Sequence, residues 1–160
     1  MELFWQRHTP GTAPGTLAVA EPATEPPRSR LALYGPGVLN ETEIASPDEV
    51  TEPGPGLVGW LDVEGHDLEF ISELGKRFCI HPLALEDVAN IGQRVKSEDF
   101  EDSIFVVVDH FFIDEGSGNL DMEQISLVMQ SFVVLSVRER RSAVGEPVRA
   151  GLRPGGRRRG

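Results

Sequence analysis

The sequence predicts an α+β domain, in which a mixed or antiparallel β-sheet is flanked by helices. The order of periodic segments in the 160-residue chain indicates this class: strand-like segments come first, two helix-like segments follow, and a run of strand-like segments comes next. Such an order is typical of α+β folds rather than of doubly wound ones. The hydrophobic content of 39% is sufficient for one core.

The chain divides into three predicted segments. Residues 1–27 are rich in Pro, Gly, Thr and Ala without a period, and we expect them to be largely extended, with a short strand over residues 16–20. Residues 28–153 form the folded domain. Residues 154–160 are basic and Gly-rich, which predicts a disordered tail.

Two strands are predicted before the helices. Residues 28–34 alternate between polar and apolar positions, and Gly35-Pro36-Gly37 ends that pattern. Residues 46–56 are acidic and Pro-rich and predict a loop that opens with one helical turn. Residues 58–63 form a short apolar run that predicts a buried strand.

Two helices follow. Leu68, Ile71, Leu74 and Phe78 recur at helical spacing and predict a helix over residues 67–78. Pro at the first helical position costs no hydrogen bond, so a second helix begins at Pro82 and ends near Asn90. Leu85 and Val88 would face the core.

The second half of the chain predicts three strands and a last helix. Residues 104–113 are β-branched and aromatic and predict a central strand. A turn over residues 114–119 leads into its partner, residues 120–129. Residues 132–138 predict a further strand, and residues 144–152 a helix.

Charge and composition exclude several functions. The net charge of −11 argues against nucleic-acid binding, since phosphate contacts need a basic surface, and it favours cations as partners. Cys79 is the only cysteine, so an intrachain disulfide and a cysteine zinc site are excluded. No apolar run approaches the roughly 18 residues of a membrane span, and we expect this chain alone to be soluble and cytoplasmic.

No constellation of residues indicates an enzyme. The sequence contains no nucleophile elbow, P-loop or dinucleotide fingerprint. Asp109 and His110 interrupt an apolar strand, but neighbouring strand residues point to opposite faces. A hydrolase that uses this pair remains an alternative. His81 precedes Pro82 and is interpreted as the residue that begins a helix.

Glu86 and Asp87 are the candidate metal ligands. They are neighbours on a helix and therefore project about 100° apart. Mg²⁺ prefers oxygen ligands, keeps several waters and usually takes one or two carboxylates. One chain could therefore offer half of a weak site that another chain completes. A solvent-facing acidic helix surface is the alternative interpretation.

Seven motifs in one order resemble the cytosolic domain of the CorA family of magnesium and cobalt transporters. The strongest are Trp60–Gly65 and His81–Asp87, the latter reading H-P-L-A-L-E-D. The further matching segments are Gln93–Lys96, Glu98–Asp102, Glu123–Leu127, Phe132–Glu139 and Glu146–Arg149. Val95 departs from the family pattern, which has proline at this position. The long helix, membrane spans and G-M-N motif of the family do not occur before Gly160.

The resemblance implies a regulatory, Mg²⁺-sensing domain at the cytoplasmic face of the cell membrane. Full-length members are homopentameric channels for Mg²⁺ that also pass Co²⁺, and Mg²⁺ bound between their cytosolic domains holds the pore closed. The regulatory carboxylate of the motif falls on Asp87, with Glu86 beside it, and its partner lies on a stalk helix beyond residue 160. This chain alone would not transport. A stand-alone acidic module that modulates full-length subunits is the alternative function.

Overall fold

The structure, a computed structural model, describes residues 27–114, 116 and 118–153. A seven-stranded sheet has the order β2-β1-β3-β7-β6-β5-β4. Its neighbouring strands are antiparallel except for β3 and β7, which are parallel. The strands are β1 (Arg28–Gly35), β2 (Val38–Ile44), β3 (Val58–Glu64), β4 (Lys96–Phe100), β5 (Ser103–Ile113), β6 (Leu120–Met129) and β7 (Val133–Arg138). The helices are α1 (Leu68–Arg77), α2 (Pro82–Ala89) and α3 (Glu146–Leu152).

The predicted α+β class with a mixed sheet flanked by helices is therefore confirmed. The strand proposed over residues 16–20 and the tail over residues 154–160 lie outside the described residues. The expected helical turn in the acidic loop is a single 3-10 turn at Pro47–Glu49, capped by Ser46.

Local sequence signals set the starts of α1 and α2. The Asp67 side chain accepts a hydrogen bond from the backbone N–H of Phe70 at 2.9 Å, which satisfies one free donor at the first turn of α1. Ile71 and Leu74 of α1 are buried in the core. Pro82 begins α2 as predicted, and Val88 is 2% exposed.

The core lies between one face of the sheet and the two helices α1 and α2. Alternate residues of six strands point to this face, because side chains in a strand alternate between faces. They pack against Ile71, Leu74, Ala84 and Val88 of the helices. The sheet residues of this core are Leu31, Ile44, Leu61, Val63, Phe105, Val107, Val128, Leu135 and Val137.

The predicted strand over residues 104–113 is confirmed as β5, which has a neighbouring strand on each side. β5 lies second from the edge, because the short strand β4 pairs with its first half, from Ser103 to Val107. The two faces of β5 differ in burial: Phe105 and Val107 are buried in the core, while Ile104 on the other face is 43% exposed. Val106 and Val108 are half-buried on that same face.

Candidate functional site

The α2 helix carries Glu86 and Asp87, and its first turn is attached to β4. His81 caps the helix, as its Nδ1 accepts from the backbone N–H of Leu83 at 3.3 Å. Its ring stacks on Phe100 of β4, with 4.4 Å between centroids and 20° between planes. The interpretation of His81 as the residue that begins this helix is therefore confirmed.

His66 supports the other end of α2. Its imidazole hydrogen-bonds to the backbone of Val88 and Ala89, while Nε2 is buried without a partner in the described part of the chain. Burial lowers the pKa of His66 below its ordinary value of 6.5 and outweighs these hydrogen bonds and the charge of Asp67, which act to raise it. The helix end thus rests on an imidazole that favours its neutral form.

Gln124 of β6 fixes the loop that joins α2 to β4. Its side-chain oxygen accepts from the backbone N–H groups of Gly92 at 2.9 Å and Gln93 at 2.7 Å. Its side-chain nitrogen donates to the Asn90 carbonyl at 3.3 Å and to Ser126 Oγ at 3.2 Å. Gln124 is 4% exposed, and its bonds to the loop are part-buried. α2 and β4 are thereby held in one arrangement.

Asp87 faces β4 and meets a lysine there. Lys96 Nζ lies 2.6 Å from Asp87 Oδ2 and 3.2 Å from Glu98 Oε1. Burial acts to lower the pKa of Lys96, but the hydrogen bonds and charges of Asp87 and Glu98 outweigh it, so that pKa lies above its ordinary value. The lysine ammonium is therefore a stable positive charge between two carboxylates.

Asp87 and Glu98 are the carboxylates at this position that could hold a metal ion. Asp87 and Glu98 converge on one point, and Mg²⁺ usually takes one or two carboxylates and fills its octahedron with water. Within residues 27–114, 116 and 118–153, no group of three or more His, Cys, Asp or Glu is placed to hold a metal. Glu86 is half-buried and has an interaction of its own. The described part of the chain forms no complete metal cage.

Asp109 and His110 are not brought together. Asp109 stands opposite Gln124 in the β5–β6 register and His110 opposite Glu123, so the two side chains lie on opposite faces of the sheet, as predicted. His110 Nδ1 lies 3.2 Å from Glu123 Oε1 rather than near Asp109. The catalytic pair required by the hydrolase alternative is not formed.

A buried ion cluster on the second face of the sheet escaped the sequence analysis. Asp62 and Glu64 of β3 accept hydrogen bonds from Arg138 of β7 at 2.8 and 2.7 Å. Arg149 of α3 donates to the same Asp62 at 3.0 Å and packs its guanidinium 4.4 Å from the Trp60 ring centroid. The cluster holds α3 against the sheet. Its sequence signal is two acidic residues, two positions apart, in the otherwise apolar β3.

Lys96, Glu98 and Gln124 were also missed as site residues. All three stand inside segments that carry the family resemblance, but none was given a role. Lys96 and Asp87 are nine residues apart and meet only because the α2–β4 loop folds back. The sequence signal available was a lone lysine in an acidic segment that follows a candidate metal-binding carboxylate.

Two solved structures share this fold. The full-length CmaX protein superposes with a TM-score of 0.66 at 19% identity, covering 84% of this chain and 42% of that one. The ZntB cytoplasmic domain from Vibrio parahaemolyticus gives a TM-score of 0.57 at 13% identity, covering 76% and 48%. At these identities the likeness shows a shared fold alone.

The chain belongs to the CorA-like Mg²⁺ transporter protein family, because the sequence model of that family matches residues 57–159. The cobalt/magnesium transport protein CorA of Thermotoga maritima is 38% identical over 95 residues, which are 59% of this chain and 27% of that protein. The chain thus spans about a quarter of the length of this relative. Among the described residues, no helix has the length and apolarity to cross a membrane.

Proposed function

We propose that this chain is the cytoplasmic, Mg²⁺-sensing regulatory domain of a CorA-type magnesium and cobalt transporter, with Asp87 as a metal ligand and Glu86 beside it. The observation that carries the proposal is the convergence of Asp87 and Glu98 on one positive charge, at 2.6 and 3.2 Å. The identity of the ion is inferred from the family to which the chain belongs. Mg²⁺ is the expected regulatory ion, and Co²⁺ is expected to bind at the same carboxylates.

The regulatory step is a shift between conformations of an assembly. Mg²⁺ would supply the positive charge that allows carboxylates of two chains to approach each other. Asp87 offers one carboxylate from a helix whose two ends are fixed by His81 and by Gln124. A ligand that binds between chains only when they are close favours the close arrangement by its difference in affinity.

The assembly is proposed to be a homo-oligomer, a pentamer as the family resemblance implies. Residues 1–137 carry 24 acidic and seven basic residues, so neighbouring copies repel one another unless cations lie between them. This repulsion makes the arrangement of the chains sensitive to cations. The role proposed for the domain is therefore binding and regulation, without catalysis.

Thermal melting in the presence of MgCl₂ tests the role of Asp87. Binding to the folded state must raise Tm, by an amount that grows with the ratio of Mg²⁺ to Kd. We expect wild type to be stabilised by millimolar Mg²⁺ and Asp87→Asn to lose that response. Asp99→Asn is the matched control, since it removes the same charge from the exposed side of β4. A wild-type Tm insensitive to Mg²⁺, or an unchanged response in Asp87→Asn, would contradict the proposal.

A further inference from the structure

We propose that Lys96 is a tethered cation that competes with the divalent ion for Asp87, and that it thereby sets the Mg²⁺ concentration at which the domain responds. The inference rests on the proposed function, because it assumes that Asp87 is a metal ligand. It adds a residue that determines the affinity of that site, and it assigns Glu98 as a second carboxylate of it.

The contact distances place the ammonium where a metal ion would bind. Asp87 Oδ2 and Glu98 Oε1 both lie within hydrogen-bond distance of the single atom Lys96 Nζ. A divalent ion at that point would meet the same two oxygens, and Mg²⁺–oxygen distances of about 2.0–2.1 Å require only a small further approach. Metal and ammonium cannot occupy this point together.

The tether makes the competition effective. Lys96 belongs to β4, where it pairs in register with Val107, and its ammonium lies 5.7 Å from the Phe105 ring centroid. A charged group on a short tether has an effective concentration in the millimolar range or above, since it does not have to be captured from solution. Monovalent ions at similar concentrations are attracted to the two carboxylates no more strongly than the ammonium is. A divalent ion carries twice the charge and can therefore displace it.

The consequence is a weakened but more selective site. The apparent affinity of a ligand falls by the fraction of molecules that are competent to bind it. As long as Lys96 is paired with Asp87, Mg²⁺ must displace the ammonium. This breaks an ion pair in which the side chain of Asp87 is 19% exposed and that of Lys96 is 27% exposed. The domain then stays free of Mg²⁺ when the concentration of the ion is low, and it binds the ion when the concentration is high.

Lys96→Met tests the competition, because methionine keeps most of the apolar stem and removes the ammonium. Lys96→Arg is the matched control that keeps a charge near Asp87. We expect Lys96→Met to lower the Kd for Mg²⁺ by roughly tenfold or more, as an unoccupied site binds without displacement. Lys96→Arg should remain close to wild type. Isothermal titration calorimetry with MgCl₂ measures the Kd, and Lys96→Met/Asp87→Asn should remove binding.

The outcomes separate this inference from the proposed function. Equal Kd values in wild type and Lys96→Met, both lost with Asp87→Asn, would overturn the competition and leave the sensing role in place. Absence of Mg²⁺ binding in both proteins would overturn both. A melting curve of metal-free Lys96→Met supplies an independent readout: two carboxylates without their cation should lower its Tm, and added Mg²⁺ should restore it. A metal-free Tm equal to that of wild type would show that Lys96 does not neutralise the pair.

Discussion

Arg138 Nη2 donates to Asp62 Oδ2 at 2.8 Å across the parallel strands β3 and β7, and both side chains are 1% exposed. The same nitrogen reaches Glu64, and Arg138 Nη1 donates to the carbonyl and hydroxyl oxygens of Ser142. Asp62 also accepts from Arg149 of α3. Buried charges are tolerated only when they are paired and hydrogen-bonded, so α3 and the loop before it are fixed by charge rather than by apolar packing.

Removing Asp62 should destabilise the domain strongly. Asp62→Ala leaves two buried guanidinium groups without this carboxylate, and breaking a buried pair in this way costs about 3–5 kcal/mol of unfolding free energy. Urea denaturation measures the loss. Glu43→Ala is the matched control, because its ion pair with Arg28 has side chains 72% and 46% exposed and should change stability by at most about 1 kcal/mol. Equal losses in the two variants would show that burial does not strengthen the cluster.

The stability of the domain should fall in acid partly through His66. Its pKa in the folded state lies below the ordinary value of 6.5, so the unfolded chain binds the proton more readily. The stability that depends on neutral His66 is therefore fully present above pH 6.5. It is lost as the pH falls below 6.5 and through the lowered pKa of the folded state. His66→Asn keeps a donor near the end of α2 and cannot titrate. Urea midpoints between about pH 5 and about pH 8 should depend less on pH in His66→Asn than in wild type. The same change of midpoint with pH in both proteins would contradict this prediction.

Gln124 should control the order of the α2–β4 loop. Gln124→Leu keeps the volume but leaves the N–H groups of Gly92 and Gln93 without their acceptor, at a cost of about 1–3 kcal/mol. Hydrogen exchange at these two amides should accelerate. Gln130→Leu is the control, since Gln130 donates to the Phe78 carbonyl at 2.8 Å and fixes a different loop. The prediction fails if both variants affect Gly92 and Gln93 alike.

The sequence predicted the elements whose signals are local. The first helix was found because apolar spacing and the Asp67 cap lie within one segment, and the second because Pro82 marks its first turn. The strands β2 and β4 were missed. Both are edge strands: β2 buries only Ile44, and β4 reads Lys-Ser-Glu-Asp-Phe, so neither shows the apolar pattern of a buried strand.

The candidate site was only half accessible from the sequence. Asp87 could be named from its motif, but the lysine that neutralises it is supplied by an edge strand that no pattern predicted. The ion pair between Arg138 and Asp62 joins residues 76 positions apart. Such contacts depend on the order of strands in the sheet, which the periodicity of single segments does not contain.

Close packing between α1 and α2 gives the last prediction. A Cβ atom at Gly75 would lie 2.4 Å from Leu85 Cδ2 and 3.1 Å from Leu85 Cγ. Gly75→Ala therefore forces the side chain of Leu85, two residues before Asp87, out of its place. Overpacking of this kind costs about 1–3 kcal/mol. That cost exceeds the gain of about 1 kcal/mol that alanine brings to a helix interior.

Gly151→Ala is the matched control, because nothing lies within 4 Å of a Cβ built at Gly151 in α3. It should gain up to about 1 kcal/mol of unfolding free energy in urea titrations, while Gly75→Ala loses stability. If Leu85 is the obstacle, Gly75→Ala/Leu85→Ala should be less destabilised than the sum of its two single changes, since contacting residues are not additive. A stabilised Gly75→Ala would instead show that the side chain of Leu85 yields at no cost and leaves α2 in place. In that case the position of Asp87 relative to β4 would not depend on α1.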